Sequence, residues 1–132
     1  MVAQSTERFV RERADNRCEY CRLPQSFATQ RFQIAHVHAK HHVTDDSQEN
    51  LALSCCRCNG CKGPNAAGID PVTRKLIPLF NPRMQVWEEH FTWDGPRIVG
   101  LTPTGVITIH VLKMNDVSAV ALRSAIMRLG RF

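Results

Sequence analysis

Six cysteines, all between Cys18 and Cys61, carry the most specific chemistry in this chain of 132 residues. Clustered cysteines in a chain without a secretory leader point to metal binding rather than to a disulfide framework. Cys18-Glu19-Tyr20-Cys21 is one C-x2-C knuckle, and a second lies in Ser54-Cys55-Cys56-Arg57-Cys58-Asn59-Gly60-Cys61. Two such knuckles supply four thiolates to one tetrahedral Zn2+. Cys55/Cys58 and Cys58/Cys61 share the same spacing, so spacing alone leaves two ligand sets open. Cys56 reads as a small buried or half-buried side chain. Between the knuckles sit His36 and Asn50, and Asn59 follows Cys58 directly.

The elements that must position these residues can be read coarsely. Residues 5–17 predict a basic helix, capped by Ser5 or Thr6, with Phe9, Val10 and Ala14 at helical spacing. Its arginines form either a solvated or a phosphate-binding face. Residues 32–37 predict a strand, with His36 and His38 on one face by the period of two. A polar loop with His41, His42, Asp45 and Asp46 follows. Residues 51–53 predict a second strand, and the stretch after Cys55 a helix ended by Gly63-Pro64. From Pro71 to Pro82 the chain reads as irregular, with Leu76, Ile77, Leu79 and Phe80 as anchors. Three strand-like runs at 90–93, 97–101 and 106–112, broken by Gly95-Pro96 and Pro103-Thr104-Gly105, predict an antiparallel meander. Asn115 or Asp116 then caps a last helix with Leu122, Ile126 and Leu129 on one stripe. Its Arg123, Arg128 and Arg131 suit either phosphate or the helix dipole.

Composition bounds the possibilities. Hydrophobic residues are 43% and charged residues 22%, as in a globular chain rather than a disordered one. No apolar run is long enough to span a membrane, and no apolar segment precedes Glu7, so neither a membrane protein nor a signal peptide is expected. The expected compartment is the cytoplasm. Seventeen Lys and Arg against twelve Asp and Glu give a net charge of +5, a lean towards polyanions.

The sequence RCEYC at 17–21, the strand around His36, NLALSCCRCN at 50–59 and CKG at 61–63 resemble the HNH endonucleases, the ββα-metal nucleases. LFNPR at 79–83, W-x2-HF at 87–91 and GLTPTG at 100–105 resemble the tail of a group of small bacterial HNH proteins. The resemblance implies an α+β chain with a single HNH nuclease-like domain. Residues 1–64 would be a zinc-stabilised ββα-metal core, and residues 65–132 a small antiparallel β meander plus a C-terminal helix. It aligns Cys18, Cys21, Cys55 and Cys58 as the structural zinc ligands and leaves Cys61 outside the set. It makes His36 the general base, Asn50 the residue that holds the loop, and Asn59 a ligand of a catalytic divalent cation such as Mg2+, Mn2+ or Ni2+, with His38 as a further possible ligand. DNA is the implied partner, with Lys40, Arg57 and Lys62 as contacts.

One departure stands out. The family carries an acidic metal ligand immediately before the base, where this chain has Ala35; Asp45 or Asp46 would have to supply a carboxylate from the loop. The family's Gly-Gly turn is replaced by Val43-Thr44. The implied activity is metal-dependent hydrolysis of DNA phosphodiester bonds, weakened or lost through Ala35. The rival is a catalytically degenerate, zinc-stabilised DNA-binding module. A redox or zinc-storage protein would use the cysteines alone and leave His36 and Asn50 without a role.

Overall fold

A computed structural model describes residues 2–38 and 45–132; the expectations for Lys40, His41, His42, Val43 and Thr44 lie outside these residues. The first helix, α1 (Gln4–Arg13), is shorter than expected. Asp15 and Asn16 turn into the left-handed region (φ +55° and +53°), which ends it. Its N-cap is Ala3, with no side-chain cap from Ser5 or Thr6. Val10 is its buried residue. The helix docks largely through guanidinium groups on carbonyls. Arg11 donates to Phe32 O at 2.9 Å, and Arg13 donates to Gln48 O at 3.0 Å and Leu51 O at 2.7 Å. The guanidinium groups of Arg11 and Arg13 are therefore engaged by backbone carbonyls, while Arg13 stays exposed.

Strands β1 (Gln33–His36) and β2 (Leu51–Ser54) form an antiparallel pair in which Ala35 faces Ala52 and His36 faces Leu51. A 3-10 turn, Gln48–Asn50, leads into β2. Helix α2 (Cys56–Lys62) follows at once, and Cys55 caps it by accepting the Cys58 N–H on its own sulfur. Gly63, at φ +54°, stops it. The two expected strands and the helix are present, and the loop between the strands lies partly outside the described residues.

The second half departs further. Within the stretch expected to be irregular, β4 (Leu76–Pro78) pairs with β3 (Ala67–Ile69), which precedes that stretch. Leu79 and Phe80 are buried as expected, Ile77 is partly buried, and Leu76 is exposed. After a short α3 (Trp87–His90), β5 (Phe91–Asp94) and β6 (Arg97–Gly100) form a hairpin around Gly95. The expected third strand of the meander is instead a helix, α4 (Pro103–Leu112). Its β-branched run favours a strand locally, but three features override that preference. Thr102 caps the helix by accepting the Gly105 N–H at 3.0 Å, and Pro103 fits the first turn. Gly105 packs so closely that a Cβ there would lie 2.1 Å from His90 O. Asn115 then occupies part of the β6 edge: it accepts the Ile98 N–H at 2.9 Å and donates to Ile98 O at 2.7 Å.

The last helix, α5 (Val117–Arg128), lies where expected and starts after Asp116, but Asp116 makes no side-chain cap. Of the expected stripe only Ile126 is buried; Leu122 and Leu129 are exposed. Arg123 is buried, with Nε donating to Pro96 O at 2.8 Å and Nη2 to Asn115 Oδ1 at 3.0 Å, so it is a structural residue and not a phosphate contact.

One apolar cluster runs through both halves, from Val10, Phe32, Leu51 and Leu53 to Phe80, Trp87, Phe91 and Leu112. Two polar links pass through the first knuckle. Trp87 Nε1 donates to Tyr20 O at 2.7 Å, and Arg83 pairs with the buried carboxylate of Glu19. Among the described residues, no single helix is long and apolar enough to cross a membrane.

Candidate active site

The thiols of Cys18, Cys21, Cys55 and Cys58 are all buried and lie within 4.8 Å of one another. Cys18 and Cys21 come from the turn closed by the bridge between Arg17 and Pro24; Cys55 and Cys58 come from the N-cap and first turn of α2. Backbone N–H groups already point at two of the sulfurs: Cys21 N donates to Cys18 Sγ at 3.5 Å and Cys58 N to Cys55 Sγ at 3.4 Å. The Sγ atoms of Cys21 and Cys55 are 3.7 Å apart. Tetrahedral zinc with Zn–S of about 2.3 Å would set its sulfurs about 3.8 Å apart, so the cluster fits such an ion. Burial resists ionisation of Cys18, but hydrogen bonds from the thiols of Cys21, Cys55 and Cys58 outweigh it and hold Cys18 well below the ordinary thiol range. Those of Cys21 and Cys58 are pushed well up, through their hydrogen bonds to Cys18 first. A pocket that favours one thiolate and resists the next is completed by a cation. Cys56 and Cys61 stand outside the cluster, both half-buried.

His36 is the last residue of β1. It is half-buried and lines an open cleft of about 380 Å3 together with Val2, Arg11, Arg31, Gln33 and Ile34. Its Nε2 lies 2.7 Å from Asp46 Oδ1. Asn50 is buried and fixes both ends of the segment between them. Its Oδ1 accepts the His38 N–H at 2.9 Å, and its Nδ2 donates to His38 O at 3.2 Å and to Asp45 O at 2.8 Å. Asp45 Oδ1 in turn accepts the Ser47 N–H at 2.8 Å, and hydrogen bonds from the Ser47 hydroxyl first and its N–H second hold its carboxyl below the usual range.

His38 does not share the cleft of His36. The strand ends at His36, and His38 lines a separate cavity of about 230 Å3 with Val37, Lys62, Asn81 and Gln85. Asn59 is half-buried on α2. One turn later Lys62 donates from Nζ to His36 O at 3.3 Å and Val37 O at 3.2 Å, so this face of α2 lies against the end of β1.

Lys62 is thus not the surface cation expected of it. It is 3% exposed, and burial lowers its pKa. Arg57 pairs with Asp116 at 2.8 Å and donates to Ser118. Arg31, by contrast, keeps an exposed side chain in the cleft of His36, and Glu7 lies 3.2 Å away. The sequence carries a signal for it, a cation two residues before the strand that ends in His36.

The methyl of Ala35 is 7% exposed. Among the described residues the four cysteines are the one group of three or more His, Cys, Asp or Glu side chains able to hold a metal. Among the described residues, no such group lies at His36.

The HNH endonuclease family model matches residues 18–65, from the first cysteine of the cluster to just beyond α2. That segment is similar to the HNH endonucleases. Septu protein PtuB of Bacillus thuringiensis is 26% identical over 114 residues, which cover 80% of this chain and 39% of that protein. The chain therefore spans well under half of that relative's length, and the likeness extends beyond the HNH segment. No solved structure matches the chain.

Proposed function

We propose that the HNH domain at residues 18–65 makes this protein an endonuclease that hydrolyses DNA phosphodiester bonds, with His36 as general base. The observation that carries the reading is the placement of His36 at an open cleft while the buried Asn50 amide holds both His38 and Asp45. An imidazole titrates near neutral pH and suits proton abstraction from water. The water's proton passes to His36, its oxygen forms the new P–O bond, and the bond to the leaving 3′ oxygen breaks, that oxygen taking a proton from solvent. Arg31 and the cleft wall around it would face the backbone phosphates. Zinc, held by Cys18, Cys21, Cys55 and Cys58, has a structural part, since four thiolates leave no open position. A divalent cation, as HNH nucleases use, would supply Lewis-acid stabilisation when bound. Asn59 is the residue that would hold it. A zinc-thiolate protein suits the reducing cytoplasm.

A second reading is favoured by one observation: the buried methyl of Ala35 leaves the position before the base without a donor. It is a DNA-binding module that has lost cleavage. Incubating supercoiled plasmid with the protein and Mg2+, Mn2+ or Ni2+ separates the two. The nuclease reading expects nicking that His36→Ala abolishes while zinc content and DNA binding stay unchanged. Cleavage that survives His36→Ala overturns it. Binding without cleavage under any of the three ions, with Mg2+-dependent cleavage appearing in Ala35→Asp, supports the module.

A further inference from the structure

We infer that Asp46 is the positioning residue of His36, a role that rests on His36 being the base. Oδ1 of Asp46 lies 2.7 Å from Nε2 of His36, a hydrogen-bond distance. An ionised carboxylate only accepts, so the contact places the imidazole proton on Nε2 and leaves the lone pair on Nδ1. Nδ1 is then the nitrogen that takes the proton from water. Once protonated there, the imidazolium carries an N–H on both nitrogens, and the adjacent carboxylate stabilises it.

The carboxylate is held in place by its neighbours. Asn50 Nδ2 donates to Asp45 O, one residue before, at 2.8 Å, and the Asp45 side chain closes a turn onto Ser47 N, one residue after. The other face of the pair is also fixed: the His36 carbonyl accepts from Lys62 Nζ. His36 is thus anchored at its backbone by α2 and at its ring by the far end of the loop. The anionic oxygen that position 35 lacks returns beside the imidazole from position 46, directed at the ring itself. In this arrangement Asn50 acts on catalysis at one remove, through Asp46.

The test is ring NMR of protein labelled with 15N-histidine, run on the full chain with zinc at a pH where His36 is neutral. The expected result is a His36 proton on Nε2, shifted downfield and protected from solvent exchange, and lost in both Asp46→Ala and Asp46→Asn. A wild-type His36 that carries its proton on Nδ1 overturns the proposal, and this arm decides even if the chain cleaves nothing. In the plasmid assay, Asp46→Ala is expected to lower kcat at least tenfold, within the factor of about 10^2–10^4 that a general base supplies. KM for DNA should stay unchanged, and Asp46→Glu should recover part of the rate. Wild-type kcat in Asp46→Ala beside an inactive His36→Ala removes Asp46 from the mechanism and leaves the base intact. Full activity in His36→Ala removes the base itself.

Discussion

The two halves of this chain are held by different kinds of force. Up to Gly63 the contacts are directional. Four buried thiols converge, arginines of α1 reach backbone carbonyls, and single side chains such as Asn50 and Lys62 each satisfy two or three backbone groups. After residue 65 the contacts are mostly of shape. Phe80 meets Phe91 edge-on at 5.3 Å, Trp87 stacks by Phe91 at 5.0 Å, and two glycines let α4 approach the β5–β6 hairpin. The difference teaches where sequence order matters. Directional contacts need a particular residue type at a particular spacing, whereas shape contacts accept many sequences of the right volume.

The comparison can be broken most severely at the metal. Structural zinc in small domains contributes about 10–16 kcal/mol of folding free energy. Chelation, or Cys18→Ser, is expected to erase amide protection in β1, β2 and α2 and to lower the melting temperature of the whole chain, because one apolar cluster joins the halves. Hydrogen exchange followed by mass spectrometry reads this; unchanged protection after metal loss would mean the thiols are merely buried. Next comes the ion pair that bridges the halves. Glu19 is 6% exposed, accepts the Leu53 N–H at 2.8 Å and pairs with Arg83. Glu19→Gln strands a buried guanidinium, and denaturant titration should register a loss of about 3–5 kcal/mol. A loss below 1 kcal/mol would show that this ion pair contributes little to joining the halves.

In the region held by shape, the sharpest test is Gly105→Ala. The new methyl meets the carbonyl of His90, which cannot move without its chain. A cost of about 3 kcal/mol is expected from overpacking, with zinc content unaltered. Neutral behaviour in thermal melts would argue that α4 sits further from the hairpin. The smallest effect concerns pH. The N–H groups of Thr73 and Val72 hold the exposed Asp70 carboxyl below its ordinary value. Its folded value is lower than its unfolded one, so its contribution to stability is complete above the ordinary value and lost as pH falls through the lowered one. An NMR titration should show the Val72 and Thr73 amides moving only at acid pH below the ordinary aspartate range; movement above that range refutes the turn's hydrogen bonds.

The same contrast explains what the sequence discloses. Residues 18–63 are legible because knuckle spacing and the order strand, loop, strand, helix are short-range patterns. The cysteine pair that closes the cluster is Cys55 and Cys58, in agreement with the family resemblance rather than with spacing alone. Lys62 is illegible because a lysine reads as surface, and only the carbonyls of β1 reveal why it is buried. The pairing of Asp46 with His36 depends on how the loop returns, which the intervening residues do not announce. The run from Val106 to Leu112 reads as a strand by its β-branched side chains, and tertiary packing around Gly105 makes it a helix. Arg123 fails for the same reason as Lys62: its partners are a carbonyl and an amide from distant turns.

Asn50 has a consequence for how this site is held together. Its amide ties His38 to Asp45, seven positions further along the sequence, through three hydrogen bonds. One asparagine thus makes the placement of His36 and Asp46 depend on its own amide.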